Sequence, residues 1–533
     1  MKKLNERKKK WIERTLANNR SYKVLLYNRF FMFLLSALLQ LVAFAVFCFT
    51  LVYNSKIALL LQTLVSVAAL ICVLVILNQN DRPSTKMSWL LVILVVPVFG
   101  VPMYLLNGRG RPTKKMQKRL EQSEKENEEV CAFFGGTPIS NSQEREDSIS
   151  RYIAAQVKLP TYYDGDVRYY KSGAEMFEQM LKDLKTAKKF ILLEYFIIAH
   201  GKMWNEILNV LVQKAREGVQ VRILYDDFGC MVTLPPRYEE YLETLSENIK
   251  AMTFNDVVPF FAVRMNNRDH RKILVIDGEV AYTGGVNLAD EYIGEKTRFG
   301  YWKDTAVRVT GNGVQSFTVM FFRIWNAFRK DKESLINYLL PIRETGATAE
   351  NTPLRILPYD DSPLDKLSVG ETVYVDIIHR AKKYVWIFTP YLILDDYARA
   401  ALCMAALRGV DVRIVTPGIP DKKITYRLTR ANYPILIKSG VKIYEYTPGF
   451  IHAKSMLCDD ECAVVGTINF DYRSLYHHFE NAVYFAGCEA VADLKRDCEE
   501  VFAVSKLCSE QYPKRSFIGK TFDSVLRVLE TLM

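Results

Sequence analysis

His270-Arg271-Lys272-Ile273-Leu274-Val275-Ile276-Asp277 is one of two copies of a pattern; the other is His452-Ala453-Lys454-Ser455-Met456-Leu457-Cys458-Asp459. Each copy is followed, after the same gap, by a small turn and an asparagine: Gly284-Gly285-Val286-Asn287 and Gly466-Thr467-Ile468-Asn469. One His-x-Lys-x4-Asp would be a chance match. Two copies with matched asparagines in one chain point to a duplicated site. Side chains alternate along a strand, so His270 and Lys272 share a face, as do His452 and Lys454. Two such faces meeting would set two imidazoles and two ammonium groups around one anion.

The duplication reaches beyond the motif. Ala215-Arg-Glu-Gly-Val-Gln-Val-Arg-Ile-Leu224 matches Ala406-Leu-Arg-Gly-Val-Asp-Val-Arg-Ile-Val415, and Lys188-Lys-Phe-Ile191 matches Lys382-Lys-Tyr-Val385. The apolar run Phe190–Ile198 predicts a buried strand. Trp204–Glu217 predicts an amphipathic helix, which Gly218 closes before the next strand. The stretch from about 155 to 505 therefore reads as one α/β domain duplicated. Each half has a strand–helix–strand unit, then the motif strand and its turn, with a pseudo-two-fold site between halves.

Upstream, the texture is that of a membrane anchor. Residues 1–29 are basic. Phe30–Val52 and Ile57–Leu77 are apolar runs long enough to span a bilayer, separated by Tyr53-Asn-Ser-Lys56. Two full-length runs in succession read as an uncleaved transmembrane hairpin. Trp89–Leu105 is a shorter apolar run broken by Pro97, Gly100 and Pro102. The basic N-terminus and the basic cluster from Arg109 to Arg119 both prefer the cytoplasmic side. That favours two spans plus a re-entrant or surface-lying segment. The domain plan is a basic segment at 1–29, a membrane region at 30–106, a charged linker with some helix at 107–150, two halves at 151–335 and 336–505, and a tail helix at 506–533. Packing of the tail, Phe517–Met533, on the body is expected. The ten cysteines form no disulfide or zinc framework and read as reduced core residues.

The paired motif resembles the phospholipase D superfamily. The apolar hairpin, the Trp89–Leu105 segment and Gly284-Gly-Val-Asn-Leu-Ala-Asp-Glu-Tyr-Ile293 are similar to bacterial cardiolipin synthases. The resemblance covers nearly the whole chain after about residue 30. It implies a duplicated phospholipase D-like domain of mixed sheets flanked by helices. It also implies attachment to the bacterial cell membrane as a multi-pass protein, with the catalytic part cytoplasmic.

The residue types suit displacement at a phosphodiester. One imidazole attacks phosphorus as the neutral base, while the other starts protonated and donates to the leaving oxygen. Histidine can take either state near neutral pH. The residues leave open which imidazole does which; the resemblance makes His270 the nucleophile and phosphohistidine carrier, and His452 the acid. The candidate catalytic set is His270, Lys272, Asp277, His452, Lys454 and Asp459. Within it, Asp277 and Asp459 read as turn residues binding local backbone. Asn287 and Asn469 are expected to donate to the phosphate, with Thr467 supplying a hydroxyl that Gly285 lacks in the other copy. The family places a carboxylate behind each imidazole, and the matching residues are Asp304 and Glu480. No metal or cofactor is called for. His200, His379, His477 and His478 read as ordinary histidines, and Glu194, Tyr195 and Thr389-Pro390-Tyr391 as strand ends that either line the pocket or merely pack.

The expected function is phosphatidyl transfer between two phosphatidylglycerol molecules, giving cardiolipin and glycerol, with phosphatidylglycerol and other anionic lipids as partners. Three rivals remain: a phospholipase D or a transferase using another alcohol, a nuclease, and a membrane scaffold with a vestigial site. The apolar hairpin, and the lack of a basic, aromatic-interleaved stretch in the catalytic halves, argue against nucleic acid as a partner.

Overall fold

The computed structural model describes residues 55–79, 81–108, 112–133, 148–256, 266–348, 350–365, 367–508 and 517–530, with a few single positions between 38 and 49. The basic N-terminus, residues 1–29, and the run Phe30–Val52 apart from those single positions lie outside the described residues.

The two halves are two sheets of equivalent topology. In the first half the strands are β1 (Asp166–Tyr170), β2 (Phe190–Tyr195), β3 (Gln220–Asp226), β4 (Ile249–Phe254), β5 (Lys272–Ile276), β6 (Val280–Gly284), β7 (Tyr301–Lys303) and β8 (Ala306–Thr310). In the second they are β9 (Arg355–Asp361), β10 (Tyr384–Phe388), β11 (Asp411–Pro417), β12 (Lys442–Tyr446), β13 (Gly449–Ile451), β14 (Ser455–Cys458), β15 (Cys462–Gly466), β16 (Glu480–Ala486) and β17 (Ser505–Leu507). The sheet orders are β1-β8-β6-β5-β2-β3-β4 and β17-β12-β11-β10-β14-β15-β16-β9. In each, a parallel trio meets an antiparallel motif strand: β5 against β2, and β14 against β10. Strand β2 is buried along its whole length, as a central strand covered on both faces must be.

The expected strand–helix–strand unit is present. The helix Lys202–Arg216 turns Met203, Trp204, Ile207, Val210, Leu211 and Ala215 inward at helical spacing. Gly218, at φ +99°, makes the left-handed exit to β3. Its counterpart in the second half is Asp396–Leu407.

One core runs through both halves, joining Ile273, Val275 and Val307 to Ile356, Val464 and Val483. The helix Val314–Phe328, buried along nearly its whole length, lies within it. The halves also share backbone pairing. Strands β7 and β13 form a two-stranded parallel sheet, and Asp269 bridges to Phe479. These two junctions set the motif of each half beside a strand of the other.

The helix expected in the linker covers Lys114–Phe133 and buries Met116 and Leu120 in the shared core. It is therefore part of the body. The tail helix, Phe517–Leu529, packs as expected, with Leu526 buried and Arg427 paired to Asp523 at 2.6 Å.

Before the body come three apolar helices, Ser55–Asn78, Pro83–Val95 and Pro97–Asn107. The break at Val96–Pro97 divides the third apolar run in two. Ala69, Cys72, Ile76, Trp89, Ile93, Val101 and Tyr104 form their common core, while Leu64, Leu70, Leu74, Leu94 and Val95 are exposed. Counting described residues only, no helix is long and apolar enough to cross a membrane. The backbone helix Ser55–Asn78 has 24 residues, about 36 Å at 1.5 Å per residue. Arg82 joins this region to the second half by ion pairs to Glu371 and Asp395, and lies 4.2 Å above the Tyr476 ring.

Candidate active site

His270 and His452 each stand just before a motif strand, held by backbone of the opposite half. The His270 N–H donates to Phe479 O at 2.9 Å, and the His452 N–H to Lys303 O at 2.7 Å. The residue after each acceptor is a carboxylate. The supports are therefore exchanged: Glu480 of the second half takes His270 Nδ1 at 2.8 Å, and Asp304 of the first takes His452 Nδ1 at 2.7 Å. Both carboxylates are fully buried. Nδ1 of each ring is committed, so Nε2 is the nitrogen left for chemistry.

The lysines double back beside their histidines, as residues on one face should. Lys272 Nζ donates to His270 O at 2.6 Å. Lys454 Nζ bonds His452 O and lies 2.8 Å from its Nδ1. That nitrogen is contested, since it cannot both donate to Asp304 and accept from Lys454. The carboxylate, as the charged acceptor, takes its proton.

Electrostatics follow from burial and from four nitrogens in one place. Burial pushes His270 well below its ordinary pKa, and Lys272, Lys454, His452 and Lys422 add to the shift. His452 falls to about 4, first by burial and then by Lys454, against the pull of Asp304. Burial brings Lys272 down to about 8 and Lys454 to about 7, against the nearby carboxylates. Burial alone would raise Asp304, but His452 and Lys454 hold it below the usual range. The protein by itself thus keeps both imidazoles neutral. A phosphodiester anion among them favours protonation and restores the acid.

Asp277 and Asp459, read as turn residues within the candidate catalytic set, spend their carboxylates on backbone. They stand at the far ends of β5 and β14, at φ +53° and +54°. Asp277 accepts the backbone N–H groups of Lys188, Lys189 and Phe190, and Asp459 those of Lys382, Lys383 and Tyr384. Each thereby locks its motif strand to the start of the neighbouring strand.

Asn287 accepts from Ile197 N and donates to Tyr292 OH at 2.7 Å. Asn469 donates to Ser474 Oγ at 3.0 Å. Each has one amide hydrogen left for a ligand. Thr467 donates its hydroxyl to Glu480 and stands behind the carboxylate. Gly285 has no side chain because a Cβ would overlap the Asp304 carboxylate, 2.7 Å from its Cγ.

Glu194 is buried in an ion pair with Arg271, which Asp269 shares at 3.1 Å, and so belongs to packing. Tyr195 is likewise buried in the core of the first half. Thr389 braces the second turn by accepting from Phe470 N. Tyr391 donates to Asp421 at 2.6 Å.

His478 is not the ordinary histidine expected. Its ring centre is 5.6 Å from that of His270, with Nδ1 3.6 Å from Glu480. Donor atoms of His270, His478 and Glu480 lie within 4.8 Å of one another, a set able to hold a metal ion, though His270 and Glu480 spend their facing atoms on each other. Spacing could have flagged His478, which stands two residues before Glu480 as Trp302 stands before Asp304. Aromatic rings complete the walls. Phe196 lies edge-on to His270 at 4.9 Å, and Tyr292, Trp302 and Phe450 surround His452 at 5.6–5.9 Å.

Among families, the model described as cardiolipin synthase, PLD-like domain, matches residues 180–317 and 374–502. The phospholipase D-nuclease N-terminal model matches 67–109. A Streptococcus mutans sequence named only as an uncharacterized protein is 44% identical over 81% of this chain and 93% of its own. A cardiolipin synthase of Alkalihalophilus pseudofirmus is 33% identical over 86% of this chain and 91% of its own. A phosphatidylserine synthase of Haemophilus influenzae has a similar fold, with TM-score 0.56 and 16% identity, over 73% of this chain and 100% of that one.

Proposed function

We propose, since this chain belongs to the family of cardiolipin synthases with phospholipase D-like domains, that it joins two phosphatidylglycerol molecules into cardiolipin and releases glycerol. His270 Nε2 attacks the phosphorus of the first lipid as the P–O bond to its glycerol headgroup breaks. His452 gives its proton to the leaving glycerol oxygen. The headgroup hydroxyl of the second lipid then attacks the phosphohistidine and returns its proton to His452. The P–N bond breaks, and cardiolipin leaves. Lys272 and Lys454 neutralise the phosphoryl oxygens through both displacements.

The observation that carries this reading is the exchanged support of the imidazoles. Each is fixed and oriented by a carboxylate of the other half, so neither motif is complete alone. Such a pair does two-step transfer in which one imidazole holds the phosphoryl group and the other moves protons. From its sequence the run Ile57–Leu77 is read as a membrane span, and the two short helices after it, each under half the length needed to cross and return, as a re-entrant or surface segment. With Phe30–Val52 as the partner span, the catalytic body faces the cytoplasm of a bacterial cell. The Arg82 ion pairs then hold the site near the lipid surface, where acceptor lipid is concentrated.

The test is incubation of purified full-length protein in detergent with phosphatidylglycerol, with products resolved by mass spectrometry. Cardiolipin and glycerol in equal amounts are expected, with a phosphatidyl adduct on the His270 peptide after rapid acid quench. Phosphatidic acid without cardiolipin would sink the reading, and an adduct on His452 would reverse the two roles.

A further inference from the structure

A second cationic feature lies beside the phosphoryl-transfer centre and takes no part in the mechanism above. Arg473, on the short helix Tyr472–Tyr476, is half-buried, and its guanidinium makes no hydrogen bond or ion pair among the described residues. Burial lowers its pKa, and neighbouring Arg268 adds to the effect. Asp471 is within electrostatic reach, but its carboxylate caps the helix by accepting from Ser474 N at 2.9 Å. The His478 N–H donates to Arg473 O at 2.9 Å, and both His478 ring nitrogens are buried, Nδ1 3.6 Å from Glu480. His478 in turn touches the His270 and Glu480 side of the centre. A guanidinium drawn from water with only a carboxylate already engaged in a helix cap nearby is costly, and its planar fork suits a phosphate.

The feature is one-sided. Four residues after Asn287 the first half has Glu291, where Arg473 follows Asn469. Two residues before Asp304 it has Trp302, where His478 precedes Glu480. Among the described residues this pairing of Arg473 with His478 has no counterpart in the first half, and it stands next to the histidine proposed to carry the phosphoryl group.

We propose that Arg473 and His478 form a subsite for the phosphodiester of the acceptor lipid. This rests on the transfer reading above. In phosphatidylglycerol the attacking hydroxyl and the phosphate are joined by a three-carbon glycerol. A hydroxyl aimed at phosphorus on His270 therefore brings a second phosphate close to the first. Water or free glycerol as acceptor brings none. The subsite favours lipid over both, so it acts on transfer more than on release of the first glycerol.

The experiment uses the full-length protein in phosphatidylglycerol mixed micelles with labelled free glycerol. Two rates are read in one tube: formation of cardiolipin, and exchange of labelled glycerol into phosphatidylglycerol. Their ratio does not depend on how much protein is folded. Arg473→Gln should lower the cardiolipin-to-exchange ratio at least tenfold. Arg473→Lys should recover part of it, and His478→Phe should lower it by a smaller factor. An unchanged ratio in Arg473→Gln overturns the inference, whether both rates hold or both fall. Wild-type protein that makes no cardiolipin removes the transfer reading and the subsite together, which separates the two failures.

Discussion

The two halves share one chain path but surround their histidines differently. In the first motif, His270 meets both oxygens of Glu480, at 2.8 and 2.9 Å, with the Thr467 hydroxyl behind the carboxylate and His478 alongside. In the second, His452 meets one oxygen of Asp304, whose other oxygen is tied to Thr305 N at 2.8 Å, and three aromatic rings enclose the imidazole. Aromatic faces are electron-rich and favour a cation beside them. That surrounding suits the imidazole that must become imidazolium. The longer, polar-backed Glu480 suits one that stays neutral until it takes on phosphorus. Duplication supplies two equivalent imidazoles; in the proposed mechanism it is the walls around them that separate acid from nucleophile.

Leaving-group chemistry breaks this comparison most sharply. His270→Ala and His452→Ala should each reduce phosphatidyl transfer from phosphatidylglycerol by about 10⁴-fold or more, since paired catalytic groups act as a unit. A phosphatidyl donor with a p-nitrophenol leaving group needs no proton. With it, His452→Ala should regain about 100-fold relative to His270→Ala, in line with the usual worth of general acid catalysis. The first-turnover burst of nitrophenol measures this, because the second displacement in His452→Ala still lacks its base, and rescue of His270→Ala instead would exchange the roles.

The residue after the first glycine of each turn tests the same difference with smaller changes. Gly285→Ala forces a Cβ into the Asp304 carboxylate and so displaces the support of His452. A drop in kcat of about 100-fold is expected, short of the roughly 10⁴-fold seen when a triad carboxylate is replaced, because Asp304 is displaced and not removed. Thr467→Ala removes a hydroxyl that donates to Glu480 and accepts from Asn481 N at 2.9 Å, and leaves the carboxylate in place. It should cost about tenfold, one hydrogen bond to a charged group. Equal effects at the two positions would show that the turns are interchangeable.

Much of this was readable from residues alone, because the repeat is local. The His-x-Lys spacing, the glycine-closed helix before β3 and the matched Val-x-Val-Arg-Ile strands each occupy a few neighbouring positions. Asp304 and Glu480 could be placed only through the family pattern, and their crossing to the opposite motif was not visible, since it depends on β7 pairing with β13 and Asp269 with Phe479 across more than a hundred residues. The Gly285 position looked like a lost hydroxyl until the Asp304 carboxylate was seen against it. His478 was passed over because its one spacing signal, two residues before Glu480 as Trp302 stands before Asp304, gains meaning only from the ring of His270 beside it. Arg473 gave no signal for a different reason: an arginine is normally exposed or paired, and only burial shows that this one is neither fully.

The lysines give the smallest of these effects and still separate the halves. Both ammonium groups are weakened, Lys454 to about 7 and Lys272 to about 8, from an ordinary lysine value of about 10.4. A depressed lysine holds its charge below the lowered pKa and loses it as pH rises through that value. The free enzyme therefore loses the second-half cation first, near pH 7, and the first-half cation about one unit later. A bound phosphodiester favours the charged forms and moves both losses upward. Since kcat/KM reports the free enzyme and kcat the complex, kcat/KM should decline about tenfold per unit once the first cation is lost, while kcat holds to higher pH. Lys454→Arg keeps a cation there at every pH tested, with a lower ceiling because a planar fork replaces a point charge. The proton that His452 must take up weighs alike on both proteins, so the ratio of wild-type to Lys454→Arg kcat/KM should stay level below pH 7 and fall about tenfold per unit above it. A wild-type profile flat from pH 6 to 9 would mean that neither lysine is weakened and that burial does not govern this centre.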